Sequence, residues 1–196
     1  MKKGSFISTI LKSNKTVFSF KDIVLFWQET KTIPTKARVN YYVRNGGLLQ
    51  LRRGLYAKDK NYNKYELATK IYTPSYISLE TVLKDSGMIF QNYTSIFVVS
   101  YKTKGLIIDN QNYSFKQIKK EILTNPAGIK EENNYHIASV ERAFLDILYL
   151  NKDYYFDNLS PLNWDQVNKI LPIYGNNRRI IKKVKELELL AKQKIK

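Results

Sequence analysis

Between Thr35 and Ala57 the chain reads TKARVNYYVRNGGLLQLRRGLYA. Val39, Tyr42 and Val43 fall on one side of a helix, which turns Thr35, Lys36, Arg38, Asn40, Tyr41 and Arg44 outward. Cations, an amide and hydroxyls in that order are donors suited to phosphate oxygens and to base edges in a major groove. Arg38 and Asn40 lie about 200° apart around a helix, so at most one of them addresses the groove floor. Asn40, Lys36 and Arg44 are the expected contacts to bases or flanking phosphates. Beyond the helix, Arg52 and Arg53 stand at a tight turn whose Gly54 supplies a positive φ, and cations there suit the backbone or the minor groove.

Elements that position these residues are legible on both sides. Ile7, Ile10 and Leu11 have helical spacing, and Thr16, Val17 and Phe18 make a brief β-like run. SFKD then predicts a capping box of Ser19 and Asp22, leading into a helix with Phe20, Ile23, Val24 and Trp27 on one face. Pro34 suits the first position of the donor-bearing helix, and Gly46 suits its left-handed end. LLQL and LYA flank the arginine turn as a hairpin. Helix, strand, helix, helix and hairpin in that order predict a winged helix-turn-helix over residues 1–60, separated by the polar stretch KDKNYN from a second unit over 61–196.

Charge distribution points to the same partner. Of the formal net charge of +16, residues 1–60 hold 13 basic and 3 acidic side chains, or +10; residues 61–150 contribute +1 and residues 151–196 contribute +5. A nearly neutral middle argues against uniform compositional bias and for a polyanionic ligand at the front. There is no cysteine, which excludes disulfides, thiolate nucleophiles and cysteine-based zinc sites and fits a reducing compartment. MKKGSFISTILK is broken by Lys12 too soon for a signal peptide, and no apolar run approaches the roughly 20 residues of a membrane span. A cytoplasmic protein without a membrane partner is expected.

In the second unit, Leu67, Ala68 and Ile71 predict a helix ending before Pro74, and Ser78 is read as the cap of a helix carrying Leu79, Val82 and Leu83. TSIFVVSY, GLIID and NYSF predict a small antiparallel sheet. Ser139 caps a helix with Val140, Ala143, Phe144, Ile147 and Leu148 on one face, and two further helices carry Trp164 to Leu171 and Ile180 to Ala191. The class is α+β: a winged helix-turn-helix followed by a mixed α/β domain with C-terminal helices.

Other chemistry is thin. His136, the single histidine, has no serine or cysteine motif beside it and reads as a structural residue of a strand. Glu141 and Asp146 lie about 140° apart on one helix, too far to share a metal or act as an acid–base pair. The early carboxylates Glu80 and Glu141 complement helix dipoles. Asp22 with Glu29-Thr-Lys31 spells a fragment of a metal-nuclease signature, but on a helix and its exit rather than on adjacent strands. Gly46-Gly47 lacks the lysine and helix of a nucleotide cradle. No catalytic residue, metal site or cofactor is expected. The basic end NNRRIIKKVKELELLAKQKIK is a core-packing helix whose Arg178, Arg179, Lys182 and Lys183 are candidate secondary phosphate contacts.

RNGGLLQLRRGLYA, PSYISLETVL and IASVERAFLDILY occur in an order that resembles AbiEi-type antitoxins, the repressor-antitoxin half of bacterial abortive-infection, type IV toxin-antitoxin pairs. The resemblance runs from about Phe18 to about Tyr149. It implies a winged helix that binds operator repeats in double-stranded DNA upstream of its own operon. It also implies a second domain that counteracts a nucleotidyltransferase-like toxin without a stable complex. It assigns no catalytic residues. Two other readings of the residues stay open: a nucleic-acid-processing enzyme, such as a metal-dependent nuclease, that uses the winged helix to deliver substrate, and a protein-docking module.

Overall fold

At the SFKD stretch the two caps are reciprocal: the Asp22 N–H donates to the Ser19 hydroxyl, and the Ser19 N–H donates to the Asp22 carboxylate at 2.8 Å. The computed structural model of the chain describes residues 5–193. Its first part runs α1 (Ser5–Lys12), β1 (Val17–Ser19), α2 (Phe20–Phe26), α3 (Thr32–Arg44), β2 (Leu49–Arg52) and β3 (Leu55–Ala57). Helix α3 begins two residues before Pro34, so the proline occupies the third helical position rather than the first. It fits there because the opening N–H groups of a helix have no acceptor within it. Gly46 (φ +71°) ends α3, and Gly54 (φ +79°) turns β2 into β3.

The three strands form an antiparallel sheet in the order β1-β3-β2, with Phe18 opposite Tyr56 and a bulge between Gln50 and Arg52. Because side chains alternate along a strand, the sheet serves two cores. Phe18 and Tyr56 join Phe6, Ile10, Ile23, Trp27, Val39 and Leu48 beneath the first three helices. Val17, Leu55 and Ala57 turn the other way and join Leu67, Ala68 and the rest of the larger core.

That larger core belongs to α4 (Lys64–Ile71), β4 (Ser75–Ile77), α5 (Glu80–Asp85), β5 (Ser95–Ser100), β6 (Lys104–Ile108), β7 (Gln111–Gln117), α6 (Lys120–Leu123), β8 (Ile129–Glu132), β9 (Tyr135–Ala138), α7 (Val140–Leu150), α8 (Trp164–Ile170), a 3₁₀ turn (Leu171–Tyr174) and α9 (Arg178–Gln193). Among the described residues the chain thus has nine α-helices and two sheets, an α+β fold.

The second sheet is larger than expected and is mixed. Its six strands run β6-β7-β5-β4-β9-β8, with β5 parallel to β7 and β4 parallel to β9. The β6–β7 and β8–β9 hairpins each add through their second strand, and this produces the parallel pairs. Ser78 is not a helix cap either: its hydroxyl donates to Asp146 at 2.8 Å, and α5 starts after Leu79, which has φ +58°. Ser139 does cap α7, accepting from the Arg142 N–H.

Polar contacts tie the first part to α4. Glu66, fully buried, accepts the Thr16 N–H at 2.8 Å and the Thr16 hydroxyl at 2.6 Å, and one turn later the Lys70 ammonium lies 3.3 Å from Asp22. Among the described residues no helix is long and apolar enough to cross a membrane.

Candidate nucleic-acid interface

Helix α3 lays Val39 into the first core and keeps Lys36, Asn40, Tyr41 and Arg44 exposed. The side chains of Lys36, Asn40 and Arg44 have no hydrogen-bond or ion-pair partner among the described residues, so their donors are free for a ligand. The Tyr41 ring is steadied edge-on against Tyr42, with centroids 5.5 Å apart.

Two residues expected on this face are elsewhere. Thr35 is buried, its hydroxyl donating to the Lys31 carbonyl at 2.7 Å. Thr35 falls on the Val39 side of the helix, and a bond to the preceding turn satisfies its hydroxyl without solvent. Arg38 is folded back onto the first core. Its guanidinium stacks over Phe6 at 3.8 Å from the ring centroid, lies 5.6 Å from the Trp27 centroid, and pairs with Glu29. A guanidinium over two aromatic rings and a matched charge hold it there, which removes it as a groove contact.

The turn between β2 and β3 presents Arg52 and Arg53 to solvent. It is anchored by the Phe20 N–H, which donates to the Gly54 carbonyl at 2.9 Å and so joins the start of α2 to the turn. Arg52 lies 5.9 Å from the ring centroid of Tyr72, leaving its guanidinium edge open.

The four cations of α9 separate into two kinds. Arg178 and Lys182 are exposed and have no ion-pair partner among the described residues. Arg179 instead donates to the Tyr149 and Asn151 carbonyls at 3.0 and 3.1 Å, bracing the end of α7, and Lys183 lies 3.8 Å from Glu186. Arg179 therefore leaves the candidate phosphate contacts.

The carboxylates of the nuclease-like fragment already have partners. Glu29 is paired with Arg38, while Asp22 is held by Ser19, Lys15 at 3.4 Å and Lys70. Burial pushes the Asp22 carboxyl up, but the Ser19 hydrogen bonds and the two ammonium groups outweigh it and hold its pKa below the usual value. No three His, Asp or Glu side chains among the described residues are grouped to hold a metal ion. His136 is exposed on β9 opposite Glu131, at a cleft of about 720 Å³ that Lys15 and Lys70 also line.

A buried network inside the second part went unread in the sequence. Asp146 accepts from the Tyr174, Ser78 and Tyr76 hydroxyls at 2.7, 2.8 and 3.0 Å and from Arg142 Nε at 3.4 Å. Arg142 donates onward to the carbonyls of Ala127 and Ile122, both at 2.7 Å, and to the Tyr76 hydroxyl. Burial pushes both tyrosine hydroxyls well above their ordinary pKa, so they stay protonated as donors. The available signal is an arginine and an aspartate at i, i+4 on the helix whose Ala143, Phe144, Ile147 and Leu148 face the core. Every member is satisfied, so the network is a structural tie between α7, β4, α6 and the 3₁₀ turn.

Compared with protein-family models the chain gives no match, and compared with curated proteins it gives none either.

Proposed function

We propose that the chain is a sequence-specific DNA-binding repressor of its own operon and the antitoxin for a nucleotidyltransferase-like toxin. In this reading residues 1–60 act as a winged helix-turn-helix, with α3 as recognition helix and the β2–β3 turn as wing, and residues 61–196 act as the antitoxin domain. The observation that carries the DNA-binding half is the outward face of α3. There Lys36, Asn40 and Arg44 are exposed and have no partner among the described residues while the neighbouring Arg38 is paired with Glu29, and Arg52 and Arg53 stand exposed at the turn anchored to α2. The +10 balance of residues 1–60 supports a polyanionic partner. The antitoxin half rests on the resemblance of the three quoted segments to AbiEi-type antitoxins, which also suggests a cytoplasmic setting and antagonism without a stable complex.

The contacting set is Lys36, Asn40, Tyr41 and Arg44 with Arg52 and Arg53 on the backbone, and Arg178 and Lys182 available to extend the footprint. The test is a fluorescence-anisotropy titration of the full chain on DNA from upstream of its own gene and on scrambled DNA, at several salt concentrations. A preference of about 1,000-fold or more for the upstream DNA supports the repressor reading. Equal and steeply salt-dependent binding to both overturns it.

A further inference from the structure

The outward face of α3 also carries apolar surface that none of the described residues covers. Ile33 is 83 % exposed and Tyr41 is 61 % exposed, and Ala37 lies exposed between them at successive i, i+4 steps. At 100° per residue, Asn40, Ile33, Arg44 and Ala37 follow one another within about 60° of arc, with Lys36 and Tyr41 each about 40° beyond its two ends. The amide of Asn40 lies at one edge of that arc, one turn from Ala37 and two turns from Ile33.

One class of partner suits both kinds of surface. A hydrophobic groove on another protein would cover Ile33 and Tyr41 but would strip water from Lys36, Asn40 and Arg44 without replacing their hydrogen bonds, which costs more than the apolar burial returns. The floor of a DNA major groove offers both requirements side by side. Adenine presents an N6 donor and N7 acceptor that an asparagine meets with two hydrogen bonds, its partner thymine presents a C5 methyl, and phosphates flank them for the two cations.

Resting on the DNA-binding reading above, we infer that Ile33, Ala37 and Tyr41 form a thymine-methyl-reading stripe beside Asn40, so that the recognised site contains A·T pairs whose thymine methyls face Ile33 and Ala37. Ile33 and Ala37 are then specificity-determining residues, additional to the polar donors.

The test begins by selecting bound duplexes from a random-sequence pool with the full-length protein. Each thymine of the selected site is then replaced by 2′-deoxyuridine, which keeps base pairing and removes only the C5 methyl. The wild-type protein should lose about fourfold in affinity for each contacted methyl. Ile33→Ser should bind the thymine duplex more weakly and show a smaller thymine-to-uracil ratio. Ile33 is exposed, so its melting temperature should match wild type. Arg52→Ala should weaken both duplexes equally and keep the ratio. A selected site bound equally in its thymine and uracil forms overturns the inference and leaves the DNA reading standing. An unchanged ratio in Ile33→Ser also overturns it. Recovery of no preferred sequence overturns both.

Discussion

Arg44 and Arg142 each stand four residues from a polar side chain on their helix, Asn40 in one case and Asp146 in the other, yet their surroundings are opposite. Around Arg142 and Asp146, β4 and the residue after it, α6 and the loop that follows it, and the 3₁₀ turn deliver three hydroxyls and three carbonyls within hydrogen-bond distance, and both side chains are fully excluded from water. Around Arg44 and Asn40 none of the described residues supplies a partner, and both remain exposed. Residue type and spacing do not separate a structural ion pair from a binding surface. What separates them is whether the rest of the fold supplies partners, because an unpaired polar group is tolerable only where water or a ligand can reach it.

The sharpest break in this comparison is Asp146→Ala. Removing one member of a buried pair leaves the guanidinium of Arg142 uncompensated, and urea unfolding should show a loss of about 3–5 kcal/mol. The folded fraction should keep its DNA affinity, since the network touches no exposed face of α3. A loss under ~1 kcal/mol would mean that the network does not hold α7 in place.

Arg38→Ala follows at about 1–2 kcal/mol, from the lost stacking on Phe6 and the orphaned Glu29. Thermal melting should register it, while DNA affinity at equal folded fraction should hardly change. A large affinity loss with no change in melting would return Arg38 to the interface.

Asp22→Asn should cost about 1 kcal/mol at neutral pH through the weakened cap of α2. The sign of the pH effect follows from its lowered pKa: the contribution is fully present above the ordinary carboxylate value and is lost as pH falls through the lower folded value. Melting from neutral pH down to about pH 3 should therefore show a shallower decline for the variant than for wild type.

Arg52→Ala with Arg53→Ala should leave stability within about 0.5 kcal/mol. It should weaken binding to all DNA sequences alike and reduce the slope of log affinity against log salt by about 1 per lost phosphate contact. An unchanged slope would take the β2–β3 turn off the DNA.

Capping and periodicity made much of this fold legible: the Ser19–Asp22 box, Gly46 and Gly54 at positive φ, Ser139 on α7, and the buried stripe of Ala143, Phe144, Ile147 and Leu148. These are local features, determined within a few residues. Two misses are local, Thr35 on the Val39 side of α3 and Pro34 at the third position, and the others are non-local. Helical geometry directs Arg38 outward, but its aromatic seat comes from Phe6 of α1 and Trp27 just after α2, and its counter-ion from the loop before α3. Ser78 has every mark of a helix cap, and its actual partner lies 68 residues away. The parallel pairing of β4 with β9 likewise joins Ile77 to Ile137, which no local pattern announces. On α3 itself, the polar donors are legible in the sequence while the exposure of Ile33 is not, because an isolated isoleucine ahead of a proline carries no sign of being left uncovered.

The most direct test of the account is the double variant Asn40→Ala/Arg44→Ala, followed by thermal melting and by anisotropy on upstream and scrambled DNA under one salt condition. The predicted result is a melting curve within about 0.5 kcal/mol of wild type and a preference for upstream DNA reduced at least about tenfold. A variant that keeps the full preference, or that loses it only by unfolding, would contradict the assignment of the α3 face as the surface that reads DNA.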